Sequence, residues 1–219
     1  MIRKRSYILG LALAISFSAF RAEAQPAPAA GKASATAPAA AQSKNPANPA
    51  SAPGAKQMVD LAKSSVSAVF KQTGVSTEGQ FRKFSISVEF DPANPAQTKA
   101  SVEVDTASFD IGDPAYNAEL VKKEWFNAAQ YPKAGFVSTT VKSIAPGKLE
   151  ASGKLTLKGK TVDLVVPVTY RQEGSNVVFD GSIPIKRLAF KIGEGEWADT
   201  SVLDDEVRIK FKVTLVSGK

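Results

Sequence analysis

In Phe84-Ser85-Ile86-Ser87-Val88-Glu89-Phe90 the apolar side chains occupy every second position. That is the period of a strand with one face on an apolar interior and the other in water. The same alternation recurs in Val102/Val104, Leu155/Leu157, Val162/Leu164/Val166/Val168, Leu188/Phe190/Ile192 and Val207/Ile209/Phe211/Val213/Leu215. It predicts strands over 65–72, 79–91, 99–105, 135–144, 148–157, 160–171, 176–185, 187–193 and 205–216. Pro146-Gly147, Lys158-Gly159 and Glu173-Gly174 supply turn chemistry between several of them. Eight or nine strands with mostly short connections point to a closed antiparallel barrel or a sandwich. One stretch has a different period. Over 116–129 the spacing of Leu120, Val121, Trp125 and Ala128 predicts a short helix, stopped by Pro132, across one end or flank of the sheet. A barrel of about eight strands either fills itself with side chains or holds one small ligand, and a helix beside its mouth suits a lid.

Before the strands begin, the chain changes character twice. Arg3, Lys4 and Arg5 precede an apolar run from Tyr7 to Phe20, and small residues at Ala22 and Ala24 precede Gln25. This order predicts a secretory signal over 1–24, cleaved after Ala24, and so a periplasmic protein. The apolar run is shorter than the about 20 residues of a spanning helix. Residues 25–57 are dominated by Ala, Pro, Ser, Gly and Asn, a composition that cannot bury enough surface to offset chain entropy, and they read as a disordered linker. The folded domain is then 58–219, large enough for a sizeable core.

Charge narrows the function classes. Of the net +7, a surplus of six lies in residues 1–56, which leaves 21 Lys+Arg against 20 Asp+Glu in 57–219. A nearly neutral domain with its lysines interleaved with acids offers no phosphate-binding patch, so no nucleic-acid partner is expected. The chain has no His and no Cys. Disulfides and thiolate or imidazole metal sites are therefore excluded, and a Ser nucleophile would lack its usual base. Asp105, Asp110 and Asp113 form the one acidic cluster that could do glycosidase-type work. The plainer expectation is that they cap backbone N–H groups and the start of the following helix. No catalytic residue, metal or cofactor is expected.

Aromatic residues are spread over nearly every element, as core filling would have it, but Trp125-Phe126 and Trp197 fall in the helix and in a Gly-rich loop. Bulky rings on connections cover a mouth or an edge. At this point several blocks together matter: Ser65-Val66-Ser67-Ala68-Val69-Phe70, EGQFRKFSISVEFDP at 78–92, SVEVDTASFDIG at 101–112, EWFNAAQYPKAGFVST at 124–139, GKLTLKGKTVDLVVPV at 153–168 and KRLAFKIGEGEWADTS at 186–201. In order and spacing they resemble the YceI-like family of exported lipocalin-like proteins. The resemblance implies an extended lipocalin-like eight-stranded antiparallel β-barrel with a short helix near one opening. It also implies an apolar tunnel for polyisoprenoid or similar lipids, including the tails of isoprenoid quinones. The larger branch carries a His in the first strand and an Arg-Asp pair before the helix, where this chain has Ser64 or Ser65 and Tyr116-Asn117-Ala118. Trp125-Phe126 and 193–200 resemble instead the branch associated with diheme b-type cytochromes, which makes a quinone such as ubiquinone the sharper expectation.

Strand alternation and the family layout together select Val66, Phe70, Phe84, Ile86, Phe136, Leu155, Phe190 and Ile192 as tunnel lining, with Trp125, Phe126 and Trp197 near an opening. The expected function is a non-catalytic periplasmic carrier of a long-chain isoprenoid lipid, polyprenyl or quinone. The alternative is an envelope interaction module that docks on a membrane b-type cytochrome with its barrel filled. A homodimer is compatible with either.

Overall fold

The computed structural model describes residues 57–217, so the predicted signal at 1–24 and nearly all of the linker at 25–57 lie outside the described residues. Eleven strands make one antiparallel sheet: β1 Gln57–Val59, β2 Ser65–Gln72, β3 Val75–Phe81, β4 Phe84–Glu89, β5 Lys99–Asp105, β6 Phe109–Asp110, β7 Lys133–Ala145, β8 Lys148–Leu157, β9 Lys160–Glu173, β10 Asn176–Lys186 and β11 Glu206–Ser217. The helix α1 spans Pro114–Leu120. Alternation explains the strands directly. In β8 Leu149, Ala151, Gly153, Leu155 and Leu157 are buried while Lys148, Glu150, Lys154 and Thr156 are exposed. Lys158 and Gly159 both take positive φ, 47° and 73°, and so turn β8 into β9 in two residues.

The strand order is β4-β5-β7-β8-β9-β10-β11-β2-β3-β6, with β1 alongside β11. The β4 end of this path and β3, next to its other end, are joined in the chain itself. β3 pairs with β2 and β4 pairs with β5, and only Arg82 and Lys83 separate them. The predicted strand at 79–91 is thus one run that changes partner at Arg82-Lys83 and curls the sheet into a barrel. Taking β3 and β4 as one strand and setting aside the short β1 and β6 leaves eight around the barrel. The wall loosens elsewhere: the β9–β10 ladder ends at Gly181↔Val168, next to Pro167, which has no N–H to give.

Two predicted elements differ. The helix expected over 116–129 stops at Leu120, and the chain then turns, with Asn127 at φ 50° and Phe126 N–H donating to Leu120 O at 3.0 Å. A continued helix would point the adjacent Trp125 and Phe126 about 100° apart; the turn instead lets both reach the interior. Leu120 and Ala128 are buried, as the spacing requires. The strand expected over 187–193 is a short 3-10 turn, Arg187–Phe190, ended by Lys191 in the left-handed region at φ 57°. Its cause is Arg187. That guanidinium is 2% exposed and gathers the following loop around itself.

The core has two apolar clusters, one above the other along the barrel. One includes Val66, Phe109, Phe126, Leu155 and Ile192, the other Val141, Leu149, Val166, Phe179 and Val213. Phe136, Leu164, Ile209 and Phe211 pack against both and so mark the waist between them.

Candidate binding cavity

A cavity of about 280 Å³ runs along the inside of the barrel past this waist. Members of both clusters bound it, from Val66, Phe109 and Ile192 to Val141, Phe179 and Val213, and its walls are almost wholly apolar. Gln72, Thr98, Tyr116, Glu119 and Arg187 are the chief polar exceptions. Tyr116 and Glu119 of α1 are exposed and also bound the cavity, so it meets solvent there. At Phe179, which bounds the cavity, three rings pack together: Phe90 lies edge-on to Tyr170 and Phe179 at centroid distances of 5.1 and 5.0 Å, and Tyr170 stacks on Phe179 at 5.8 Å.

The mouth is built from two segments far apart in sequence. Trp125 and Trp197 meet at a centroid distance of 5.4 Å and both bound the cavity. Their backbones are joined as well, since the N–H groups of Gly193 and Glu194 both donate to Glu124 O, at 2.8 and 3.0 Å. Lys158, its side chain 6% exposed, reaches in from the β8–β9 turn. Its Nζ donates to Lys123 O at 2.7 Å, to Lys191 O, and to Glu194 Oε2 at 3.2 Å. Beneath them Phe81, Phe109 and Phe126 pack with centroids 4.8 to 6.1 Å apart.

Arg187 sets the other side of the mouth. All five of its N–H groups donate to carbonyls: Nε to Asp204, Nη1 to Ile192 and Gly193, Nη2 to Trp197 and Leu203, at 2.7 to 3.0 Å. The loop that carries Trp197 is therefore wrapped on one guanidinium. Burial pushes that group below the usual arginine range, with Asp205 acting against the shift. With every donor engaged, Arg187 has none left for a ligand. Sequence reasoning did not find it; the one signal was a cation followed by the otherwise apolar Leu-Ala-Phe.

Eight of the expected lining residues do bound the cavity: Val66, Phe70, Trp125, Phe126, Phe136, Leu155, Ile192 and Trp197. Phe84, Ile86 and Phe190 do not. Phe84 and Ile86 stand half-buried on β4, which pairs on one side only, and pack against the upper and lower clusters respectively. Phe190 is 3% exposed, and the 3-10 turn seats it in the upper cluster.

The acidic cluster caps, as expected. Asp105 accepts from Ala107 N–H at 2.9 Å, and Asp113 from Ala115 and Tyr116 N–H at 2.8 and 3.2 Å. Asp110 accepts from Gly112 N–H and Asn117 Nδ2, both at 2.8 Å, and pairs with Arg82. These hydrogen bonds, that of Asn117 foremost, hold the Asp110 carboxyl below the usual range. Ser64, one of the positions where the larger branch carries a His, donates to Asp60 O at 2.7 Å and accepts from Thr214 N–H at 3.0 Å, which latches the start of β2 to β11. Among the described residues no group of three or more carboxylates is placed to hold a metal, and no helix is long and apolar enough to cross a membrane.

Residues 58–215 match the YceI-like domain over their whole length. The chain belongs to the YceI-like family. A UPF0312 protein of Pseudomonas savastanoi pv. phaseolicola is 32% identical over 133 residues, which cover 58% of this chain and 69% of that one. Among solved structures this YceI-like chain is similar to Burkholderia cenocepacia BcnA, at 53% identity and a TM-score of 0.70 over 72% of this chain and 99% of BcnA. The YceI protein of Campylobacter jejuni shares the fold at 24% identity and TM-score 0.58, over 64% of this chain and 84% of that one. A polyisoprenoid binding domain from Saccharophagus degradans, implicated in plant cell wall breakdown, shares it at 18% identity and TM-score 0.56, over 74% and 98%. The lipocalin-like barrel expected from the sequence is the fold.

Proposed function

We propose that this protein is a non-catalytic periplasmic carrier of a long-chain isoprenoid lipid, a polyprenyl chain or an isoprenoid quinone such as ubiquinone, with the tail inside the barrel. The observation that carries the reading is the apolar cavity, which runs from the Phe90, Tyr170 and Phe179 rings to Trp125 and Trp197. Each methylene moved from water into such a space contributes about 0.8 kcal/mol, so a tail needs no charged contact to bind tightly. The same-fold domain from Saccharophagus degradans is a polyisoprenoid binding domain, which supports the ligand class. A neutral headgroup suits the mouth, because Arg187 offers it no free donor. A cavity of about 280 Å³ lies at the low end of ligand pockets, which run from about 300 to 1,000 Å³, so the headgroup and part of a long tail stay outside. The signal-like 1–24 supports export, and a quinone cargo would be exchanged with a membrane quinone enzyme of the b-type cytochrome kind.

Native mass spectrometry of the protein purified from its own host, followed by organic extraction, tests this. A stoichiometric isoprenoid in the extract is the expected result. A bare protein that also takes up no added ubiquinone overturns the reading, and co-purification of a cytochrome with that bare protein would move the function to docking.

A further inference from the structure

The inner row of β10 has a gap at the waist. It reads Val177, Phe179, Gly181, Ile183, Ile185, so two large side chains flank a position with none. Gly181 pairs directly with Phe211 of β11, and the Phe211 ring lies over the gap: a Cβ added at Gly181 would stand 2.1 Å from its Cζ and 2.5 Å from its Cε1. Real Cβ atoms do not come that close, so a side chain at Gly181 must drive the ring off the wall. The lumen that Phe211 bounds gives the displaced ring room to enter. A similar recess exists on β8, where a Cβ at Gly153 would stand 2.4 Å from Phe136 Cζ, but there the Val137 carbonyl is equally close and the backbone itself forbids the change. At Gly181 the nearest atoms all belong to the one ring.

Phe211 bounds the cavity and packs against both core clusters, so a chain entering at the tryptophans passes it before reaching Val166, Phe179 and Val213. We infer that Gly181 is the recess that parks Phe211 against the wall, and that this pair sets how deep a lipid tail reaches and hence which chain lengths bind. The inference rests on the lipid-carrier reading and assigns its length selectivity to two residues. A short tail stays above the waist and does not feel the ring; a long one must pass it.

The test uses the whole protein and three prenyl alcohols, farnesol, geranylgeraniol and solanesol, with binding followed by quenching or displacement at the tryptophans. Wild type takes up all three. Gly181→Ala should weaken solanesol relative to farnesol by about tenfold, the scale at which one misfitted group discriminates in an apolar pocket. Gly181→Ala/Phe211→Ala should lose that penalty and show the ratio of Phe211→Ala alone, because no ring remains to be displaced. If Gly181→Ala does not fold, Phe211→Ala carries the test: it should shift the ratio toward solanesol, and an unchanged ratio overturns the inference. Equal ratios in wild type and a folded Gly181→Ala also overturn it while leaving the carrier reading intact. Wild type binding none of the alcohols would sink both.

Discussion

The indole rings of Trp125 and Trp197 pack at a tilt of 53°, and neither lies on a strand or on the α-helix. Trp125 follows the end of α1 and Trp197 sits on a 3-10 turn, so the lid of the cavity is two loops fastened to each other. Lys158 and the Glu124 carbonyl make the fastening.

Trp197→Ala should therefore loosen the mouth without unfolding the barrel, since Trp197 is half-buried at the rim and is not a member of the buried core. The expected outcome is faster release of a bound lipid with an unchanged far-UV spectrum. The chain has two tryptophans, both at the mouth. Ubiquinone binding should accordingly quench most of the intrinsic fluorescence in wild type, and stopped-flow quenching reads the change in rate.

Arg187→Leu should be among the most damaging single changes. It strands five carbonyls that no other donor is shown to reach, and an unsatisfied buried group costs about 1–3 kcal/mol. Even partial rescue by water leaves a loss of about 3 kcal/mol, which for a domain of this size lowers the melting temperature by about 6–12 °C. Arg187→Lys should recover only part of it, because an ammonium has three donors in place of five. A melting temperature within about 2 °C of wild type for Arg187→Leu would show that the loop does not depend on this residue.

Stability should be flat from about pH 5 to 8 and fall on acidification. No His is present to titrate in that window. Below it, Asp110, Asp91, Asp199 and Glu78 matter, each with its carboxyl held below the ordinary value, chiefly by hydrogen bonds to Asn117, Asn94, Ser201 and Ser67. A group depressed in the folded state stabilises fully above its unfolded value, about 3.9 for Asp and 4.3 for Glu, and the gain is lost as pH falls through the folded value. Asn117→Ala removes the main partner of Asp110 and should make the acid limb of a melting-temperature profile shallower. An equally steep limb would place the acid sensitivity elsewhere.

The bounds of β2, β5 and β8 coincide with the predicted 65–72, 99–105 and 148–157, and β8 shows why most clearly, with alternate residues buried and exposed along its length. What was illegible is nonlocal. Nothing in the alternation of 79–91 says that the run changes partner at Arg82-Lys83, since both halves keep the same period. The pattern Leu188/Phe190/Ile192 reads as a strand because its apolar spacing is right, and only the carbonyls of residues 192–204 on Arg187 bend it into a turn. The lining residues on β2, β7 and β8 were legible from which face they share. Phe84 and Ile86 were not, because alternation gives the face of a strand and not its distance from the axis. Gly181 was visible as a glycine in a strand interior, a mark of close approach, but the ring that approaches it belongs to another strand.

The ladder between β2 and β11 joins residues 65–69 to 208–212, the beginning of the domain to its end. A chain still emerging from the ribosome has neither partner for the other, so the barrel has no closed intermediate to rest in. Until β11 arrives, β2 and β10 are both bare edges with the apolar faces of both clusters behind them. Closure of this domain thus waits for its last strand, and folding is dominated by long-range pairing and correspondingly slow. A domain that stays open until its last strand is made keeps its apolar interior exposed for as long as that strand is missing.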